Sequence, residues 1–275
     1  SGMFSGQLVG YASLYSNIYG YSLSTVETNG EWNRAYIGVV ANTRHIIESA
    51  PNDKLLVGIA MILEAHAIST LAILTGDIPY SEMLTLNDSP KFDNQKDVLT
   101  ECLTLLSGGI DELTQANSRN EPFDLYFNGD KDKWIAAAYT LKARYALIQS
   151  DYSAALSAAN NGISSSSGDM MYIPRGDAAI NSGDKNLFYT LLAGSRSGDI
   201  GNKGSYLIKM LNPAESVYRG NTKTNELARH NYYVIEEMSA SGNTGVAHQY
   251  EPQPFATYSE NQLIKAEAAA RTSGF

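Results

Sequence analysis

The strongest constraint in the chain is one long apolar run that stops abruptly. Residues Leu55–Leu74 read LLVGIAMILEAHAISTLAIL, and TGDIPYSEM follows. A run of this length is long enough, as a helix, to cross a bilayer. Glu64, His66, Ser69 and Thr70 argue against that, because lipid penalises ionisable groups at such depth. The expected element is instead the buried central helix of a helical domain. Asn52-Asp53, after Pro51, supplies an N-cap. Gly76 can take the left-handed conformation that closes a helix, and Pro79, which lacks an N–H, keeps Ile78 extended so that the helix cannot restart.

Helical patterns recur around this run. Tyr11, Tyr15 and Tyr19 make one stripe, closed at Gly20. Residues 31–50 (EWNRAYIGVVANTRHIIESA) and 94–117 have helical spacing, the second with a kink expected at Gly108-Gly109. After the loop EPFDLYFNGDKDKW, Asp130 or Asp132 can cap KWIAAAYTLKARYALIQ, which Ser150-Asp151 joins to YSAALSAANNGIS. In that pair Trp134, Ala137, Ala138, Leu141, Tyr145, Tyr152, Ala155 and Ala158 set large residues against small ones, as in a tetratricopeptide unit, although the usual glycine-tyrosine signature is incomplete. From 164 to 250 the chain is rich in Gly, Ser, Asn and Asp. Short runs there (MMYIP, LFYTLLAG, SYLIKML) look extended, and 225–238 is open between strand and helix. The segment PFATYSENQLIKAEAAART is a last helix, capped by Thr257 or Ser259, with Leu263, Ile264 and Ala268 facing inward. A repeat architecture wants a partner helix behind it, so truncation at the C-terminus is expected. The expected fold is mostly α: tetratricopeptide-like helix pairs in an α–α superhelix, with a loop-rich excursion carrying short strands.

Composition and motifs narrow the function. With 275 residues, 43 % of them hydrophobic, the chain can build one large core or two modest ones. Its 20 Lys+Arg against 29 Asp+Glu give no sign of the basic face that a nucleic-acid binder usually shows. The single cysteine, Cys102, excludes an intrachain disulfide and reads as a small buried hydrophobe. The 18 tyrosines against 7 phenylalanines suit either wet binding surfaces or helix edges. Catalytic patterns fail. GSRSG has Arg196 where a nucleophile elbow needs Ser, and GDIGNKGS is neither phosphate-binding glycine pattern. His45, His66, His230 and His248 have no metal-ligand spacing, and Glu236-Glu237 reads as a solvated face. Asp124, Asn128, Asp130 and Asp132 form an oxygen-rich loop of the kind that holds calcium. It lacks the bidentate Glu of the twelve-residue calcium loop, and helix capping accounts for the same residues. Nothing implies a cofactor.

LTGDIPYSEM resembles the hallmark of the SusD/RagB family of Bacteroidetes nutrient-binding lipoproteins, whose long helix ends in Gly-Asp-x-Pro-Tyr. Further stretches match in order: EWNRAYIGVVANTRHIIE, SPKFDNQKDVL, DLYFNGDKDKWIAAAYTLKARYAL and PFATYSENQLIKAEAAAR. They correspond to the family's Trp-x-x-x-Tyr helix with its following Asn, its Pro-x-Tyr/Phe-Asp-x-Gln segment, its Asp-Leu-x-x-x-Gly-Asp-x-x-x-Trp and Leu-Lys-x-Arg segments, and its Thr-Tyr-x-Glu-x-x-x-Ile-Lys-Ala-Glu-Ala helix.

The resemblance implies a single domain over 1–275, with a helical scaffold at 31–163 and 254–271 and a ligand-facing insertion at 164–253. It implies a non-catalytic, surface-exposed outer-membrane lipoprotein that passes glycans, or in some members peptides, to a SusC-like TonB-dependent transporter. The lipid-bearing N-terminal Cys is absent and Ser1-Gly2 has the look of a cloning remnant, so the membrane anchor is inferred from the family alone. Structural roles are implied for Gly76, Asp77, Pro79, Tyr80, Trp134 and Glu267, with Asp77 bonding local backbone. The family does not locate its ligand site. For a glycan, the loop-borne aromatics Tyr126, Tyr172, Tyr189 and Tyr206, with Trp32, are the stacking candidates, and Trp32 suits a core equally well. Two rivals stand beside this reading: a helical-repeat scaffold for a protein partner, and a glycan-processing enzyme with a carboxyl pair in a cleft.

Overall fold

The computed structural model describes residues 2–83, 89–177, 179–180, 182–193, 196–221, 223–235 and 245–273, without the side chains of 25–28 and 193. Glu236-Glu237 and Gly194-Ser195 of GSRSG lie outside the described residues. In chain order the elements are β1 (Val9–Gly10), α1 (Ser13–Tyr19), α2 (Thr25–Asn33), a π-helical stretch (Arg34–Val40), α3 (Ala41–Ser49), α4 (Lys54–Thr75), α5 (Gln95–Gln115), α6 (Lys131–Ile148), α7 (Tyr152–Ala159), β2 (Met170–Tyr172), α8 (Leu187–Ala193), β3 (Ile200–Gly201), α9 (Tyr206–Leu211), α10 (Glu226–Tyr233), β4 (Gln253–Ala256) and α11 (Tyr258–Ser273). The chain divides into two compact units. A scaffold unit comprises 30–172 and 254–275; a loop-rich unit comprises 1–29 and 173–253.

Helix α4 is the axis of the scaffold unit. Asp53 caps its first turn by accepting from Leu56 N–H at 3.2 Å, and Gly76 closes it at φ +89°. It is long and apolar enough to cross a membrane, but 61 % of its most apolar stretch is buried against the neighbouring helices. Helix α5 runs unbroken through Gly108-Gly109, where a kink was expected. These glycines serve close packing: a Cβ on Gly109 would sit 3.0 Å from Gly58 O, and one on Gly58 would sit 2.9 Å from Gly109 O. Helix α6 is buried on two sides. Trp134, Ala137, Ala138, Leu141 and Tyr145 join the core built by α4 and α5, while Ala143 and Ala146 meet Ala155, Ala159, Ile264 and Ala268 of α7 and α11. Small residues on that second side let the helix axes approach, as the tetratricopeptide-like pattern requires. Leu263 is not part of this face but 71 % exposed, because it lies about 100° around the helix from Ile264.

The matched sequence segments bond to one another. Ile78 and Asp93 form an antiparallel bridge. The Asp93 carboxylate accepts from Tyr80 N–H, Ser81 N–H and Ser81 Oγ at 2.7–2.9 Å. Asp77 accepts from Gln95 N–H at 2.9 Å, across to the start of α5 rather than from its own turn, and Gln95 Nε2 returns to Ala72 O. Tyr36 Oη donates to Pro79 O at 2.6 Å. The expected helix over 31–50 holds a π-helical stretch in which Ala41 N–H reaches Tyr36 O, and Asn42 Nδ2 donates to the carbonyls of Ile37 and Gly38. Asp124 accepts from the N–H groups of Tyr126, Phe127 and Gly129 and from Trp134 Nε1 at 2.7 Å, while Asp130 caps α6. Arg144 donates to Glu260 in a fork at 2.5 and 2.6 Å and to Phe255 O, locking α6 to α11.

In the loop-rich unit the runs LFYTLLAG and SYLIKML are helices α8 and α9, not extended segments. Side-chain caps decide this. Asn186 accepts from the N–H groups of Phe188 and Tyr189, and Ser205 from that of Ile208. MMYIP does contain a strand, β2, which belongs to the scaffold unit and pairs with β4. Strand β1 pairs antiparallel with β3, Val9 opposite Gly201, which ties residues 1–29 into this unit. Tyr11 therefore lies outside α1, and its hydroxyl donates to Lys203 O. Leu192, Ile200, Ile235 and Ala247 form the unit's small core.

Candidate functional site

The scaffold unit holds cavities of about 570 Å³, beside Arg44, Tyr80 and Asp93, and about 490 Å³, and the loop-rich unit one of about 770 Å³; the last two differ in chemistry. In the scaffold unit a cavity of about 490 Å³ lies along α3 and α4, closed by Tyr126 and Phe255. Its exposed lining is mostly apolar, with Ile46 and Leu74 part of it, although Glu31, Arg34 and Asn42 also reach it. His66 and Thr70 are its polar lining groups on α4, and His66 is the titratable one. Its Nδ1 is 2.7 Å from Tyr145 Oη, and burial followed by the Arg144 charge lowers its pKa to about 4, so the ring is neutral.

A buried charge network stands beside it. Glu64, fully buried in the middle of α4, binds Arg44 Nε and Nη2, Thr43 Oγ1 and Tyr80 Oη at 2.5–2.9 Å. Burial and then the Glu64 carboxylate push the Tyr80 hydroxyl far above its ordinary pKa. Every described polar contact of this carboxylate is internal, so the group organises the helix-end turn.

The loop-rich unit carries the cavity with mixed chemistry. About 770 Å³ in volume, it is lined by Leu8, Phe188, Leu207, Met210 and Tyr233 on its apolar side and by Gln7, Asn202, Arg219, Glu226 and Arg229 on its polar side. Asn202 is spent on backbone, donating to Tyr233 O and accepting from Ile235 N–H. Tyr232, beside Tyr233 in an edge-on pair at 5.0 Å, donates to Glu251 at 2.7 Å. Apolar rings with a few convergent polar groups are what a small polar ligand needs.

The residues singled out from sequence are dispersed over these features. Trp32 is half-buried, tilted against Tyr36 with ring centroids 5.8 Å apart and edge-on to Phe92. Tyr126 lines the scaffold cavity and packs edge-on against Trp134 and Phe255. Burial and then Asp124 raise its hydroxyl to about 12. Tyr172 is half-exposed on β2. Tyr189 lies under Lys185 at 5.7 Å, and Tyr206 is 49 % exposed beside Gly6. The cavity of the loop-rich unit takes their chain neighbours Phe188 and Leu207 instead, since on a helix adjacent side chains point about 100° apart.

Trp134 is fully buried and Tyr80 nearly so, whereas Glu267 is exposed on α11 and paired with Arg271 at 3.5 Å. In the oxygen-rich loop, Asp124 is saturated by N–H donors, Asp130 caps α6, and Asp132 pairs with Lys131 at 3.0 Å. Among the described residues, no group of three or more His, Cys, Asp or Glu gathers as a metal site. Arg219, Glu226 and Arg229 escape sequence reasoning because nothing in RGNTKTNELAR marks them as facing a common space.

A family model, SusD-like, described as "Starch-binding associating with outer membrane", matches residues 3–275. No curated protein matches the chain significantly. Among solved structures, a SusD/RagB family protein from Bacteroides thetaiotaomicron is 20 % identical, with a TM-score of 0.73 over 98 % of this chain and 62 % of its own. A chitin-binding SusD homolog from Flavobacterium johnsoniae is 17 % identical, with a TM-score of 0.73 over 98 % and 59 %. A SusD homolog from Parabacteroides distasonis is 18 % identical, with a TM-score of 0.70 over 98 % and 63 %. The chain thus spans about three fifths of the length of these relatives, and at such identities the likeness is one of fold.

Proposed function

The chain belongs to the SusD-like family, and from that premise we propose that it is a non-catalytic glycan-binding protein of the outer membrane that hands oligosaccharides to a TonB-dependent transporter. The observation that carries the reading is the family match over residues 3–275, whose description names starch binding and outer-membrane association. The family is one of binding proteins, not enzymes. The mixed cavity of the loop-rich unit supports the reading, since Phe188 and Tyr233 offer faces for sugar rings and Glu226 and Arg219 offer partners for hydroxyls. Surface exposure, a lipid anchor upstream and a SusC-like partner complete the proposal.

The test is calorimetric titration of the chain with maltoheptaose and chitohexaose, backed by thermal shift, because a ligand of the folded state raises its melting temperature. Saturable binding of either sugar is the expected result. The rival reading, a helical scaffold for a protein partner, draws on the mostly apolar cavity between α3 and α4. Absence of binding at millimolar sugar, with capture of a transporter by the same chain, would favour that rival. A peptide-binding member of the family would instead answer to a peptide panel.

A further inference from the structure

We propose that Glu226 is the ligand-reading group of the cavity in the loop-rich unit, accepting a hydrogen bond from a sugar hydroxyl while Arg219 donates to another oxygen of the same sugar. The inference rests on the glycan-binding reading above.

Glu226 is only 7 % exposed, yet it lines the cavity. Its Oε1 takes the hydroxyl of Thr224 and lies 3.5 Å from Arg229 Nη1. Its Oε2 has no protein partner among the described residues. Oε2 is not sealed off from solvent, so its place at the cavity surface is one that a ligand donor can take from water. The fold does not need the residue as a cap, because Asn225 already accepts from Ala228 N–H at the start of α10. Ionised, the group only accepts, so the ligand atom it meets must carry a proton. A sugar hydroxyl does so; an ionised uronate carboxylate does not, and would turn to Arg219 or Arg229 of the same cavity instead.

Arg219 supplies the opposite polarity at the same cavity. Its backbone N–H is bound to Met210 O, and among the described residues its guanidinium makes one long contact, 3.5 Å to Tyr218 O, which leaves donors for ligand oxygens. Phe188, Leu207 and Tyr233 form the apolar side. A pyranose has this same division, an apolar face and a rim of hydroxyls.

The experiment titrates the wild-type chain, Glu226→Gln and Arg219→Gln with maltoheptaose, chitohexaose and an oligogalacturonate, then repeats the better neutral sugar as a series of monodeoxy analogues. Losing a charge-assisted hydrogen bond is expected to weaken neutral-sugar binding about tenfold or more in Glu226→Gln. One deoxy position should weaken the wild type by a similar factor and the variant no further, a coupling that mere structural damage would not produce. Arg219→Gln should weaken the neutral sugar by a similar factor, and an oligogalacturonate, whose carboxylates need a cation, should depend on Arg219 more than on Glu226. Should Glu226→Gln fail to fold, the deoxy series on the wild type and the Arg219→Gln titration decide. Neutral-sugar binding that is indifferent to Glu226→Gln and to every deoxy position overturns this inference alone. Failure of every sugar to bind the wild type overturns the glycan-binding reading with it.

Discussion

Replacing Arg44 by Met should expose the cost of the charge at the centre of α4. Arg44 meets Glu64 through three contacts: Nε at 2.8 and 2.9 Å and Nη2 at 2.5 Å. Without it, a carboxylate with no exposed surface keeps only the hydroxyls of Thr43 and Tyr80, each at 2.9 Å. Removing one partner of a buried pair costs about 3–5 kcal/mol. Arg44 is itself 38 % exposed, so water can follow the truncated side chain, and about 3 kcal/mol is expected. In a unit of this size that lowers the melting temperature by roughly 6–12 °C. Both tryptophans, Trp32 and Trp134, lie in the scaffold unit, so urea unfolding followed by tryptophan fluorescence reports on that unit alone. The triple variant Arg44→Met, Glu64→Leu, Tyr80→Phe removes the charges and the orphaned hydroxyl together, and should recover at least half of the loss. A single-variant cost below about 1 kcal/mol would refute the reasoning, as would a triple variant no more stable than the single.

Three further outcomes follow from the scaffold unit. His66 is held neutral, with a pKa pushed down to about 4 against 6.5 in the unfolded chain, so its contribution is complete above pH 6.5 and is lost as pH falls toward 4. Wild-type stability should drop by up to ~3 kcal/mol across that window, and His66→Gln should flatten the drop; a wild-type urea midpoint constant from pH 7 to 4.5 contradicts this. Trp134→Phe leaves Asp124 Oδ2 without its 2.7 Å indole donor and should cost about 2 kcal/mol by urea titration, more than a volume change alone. Gly129→Ala sets a Cβ 2.1 Å from Arg119 O at φ +80° and should cost more than ~2 kcal/mol or abolish folding; a fully stable Ala variant would show that the turn can be rebuilt.

Local signals were legible where one residue acts on its own backbone. Asp53 and Asp130 cap α4 and α6, Thr257 caps α11, and Gly76 closes α4, because a short carboxylate or hydroxyl or a missing Cβ acts within a few bonds. Where several local outcomes had similar energy, pattern alone failed. LFYTLLAG and SYLIKML looked extended until Asn186 and Ser205 capped them as helices, and Gly108-Gly109 looked like a kink although it is a contact surface for Gly58.

By itself, then, the sequence determined that the chain is mostly helical, where its principal helices begin and end, and which family it resembles. Only the tertiary structure decided that Asp77 serves Gln95, that Arg44 and Tyr80 converge on Glu64, and that Arg144 grips Glu260. It alone also placed Phe188, Arg219 and Glu226 around one cavity. Capping and helix periodicity are set over a few residues. Buried pairing and cavity lining join residues tens of positions apart, and their geometry exists only once the helices have packed.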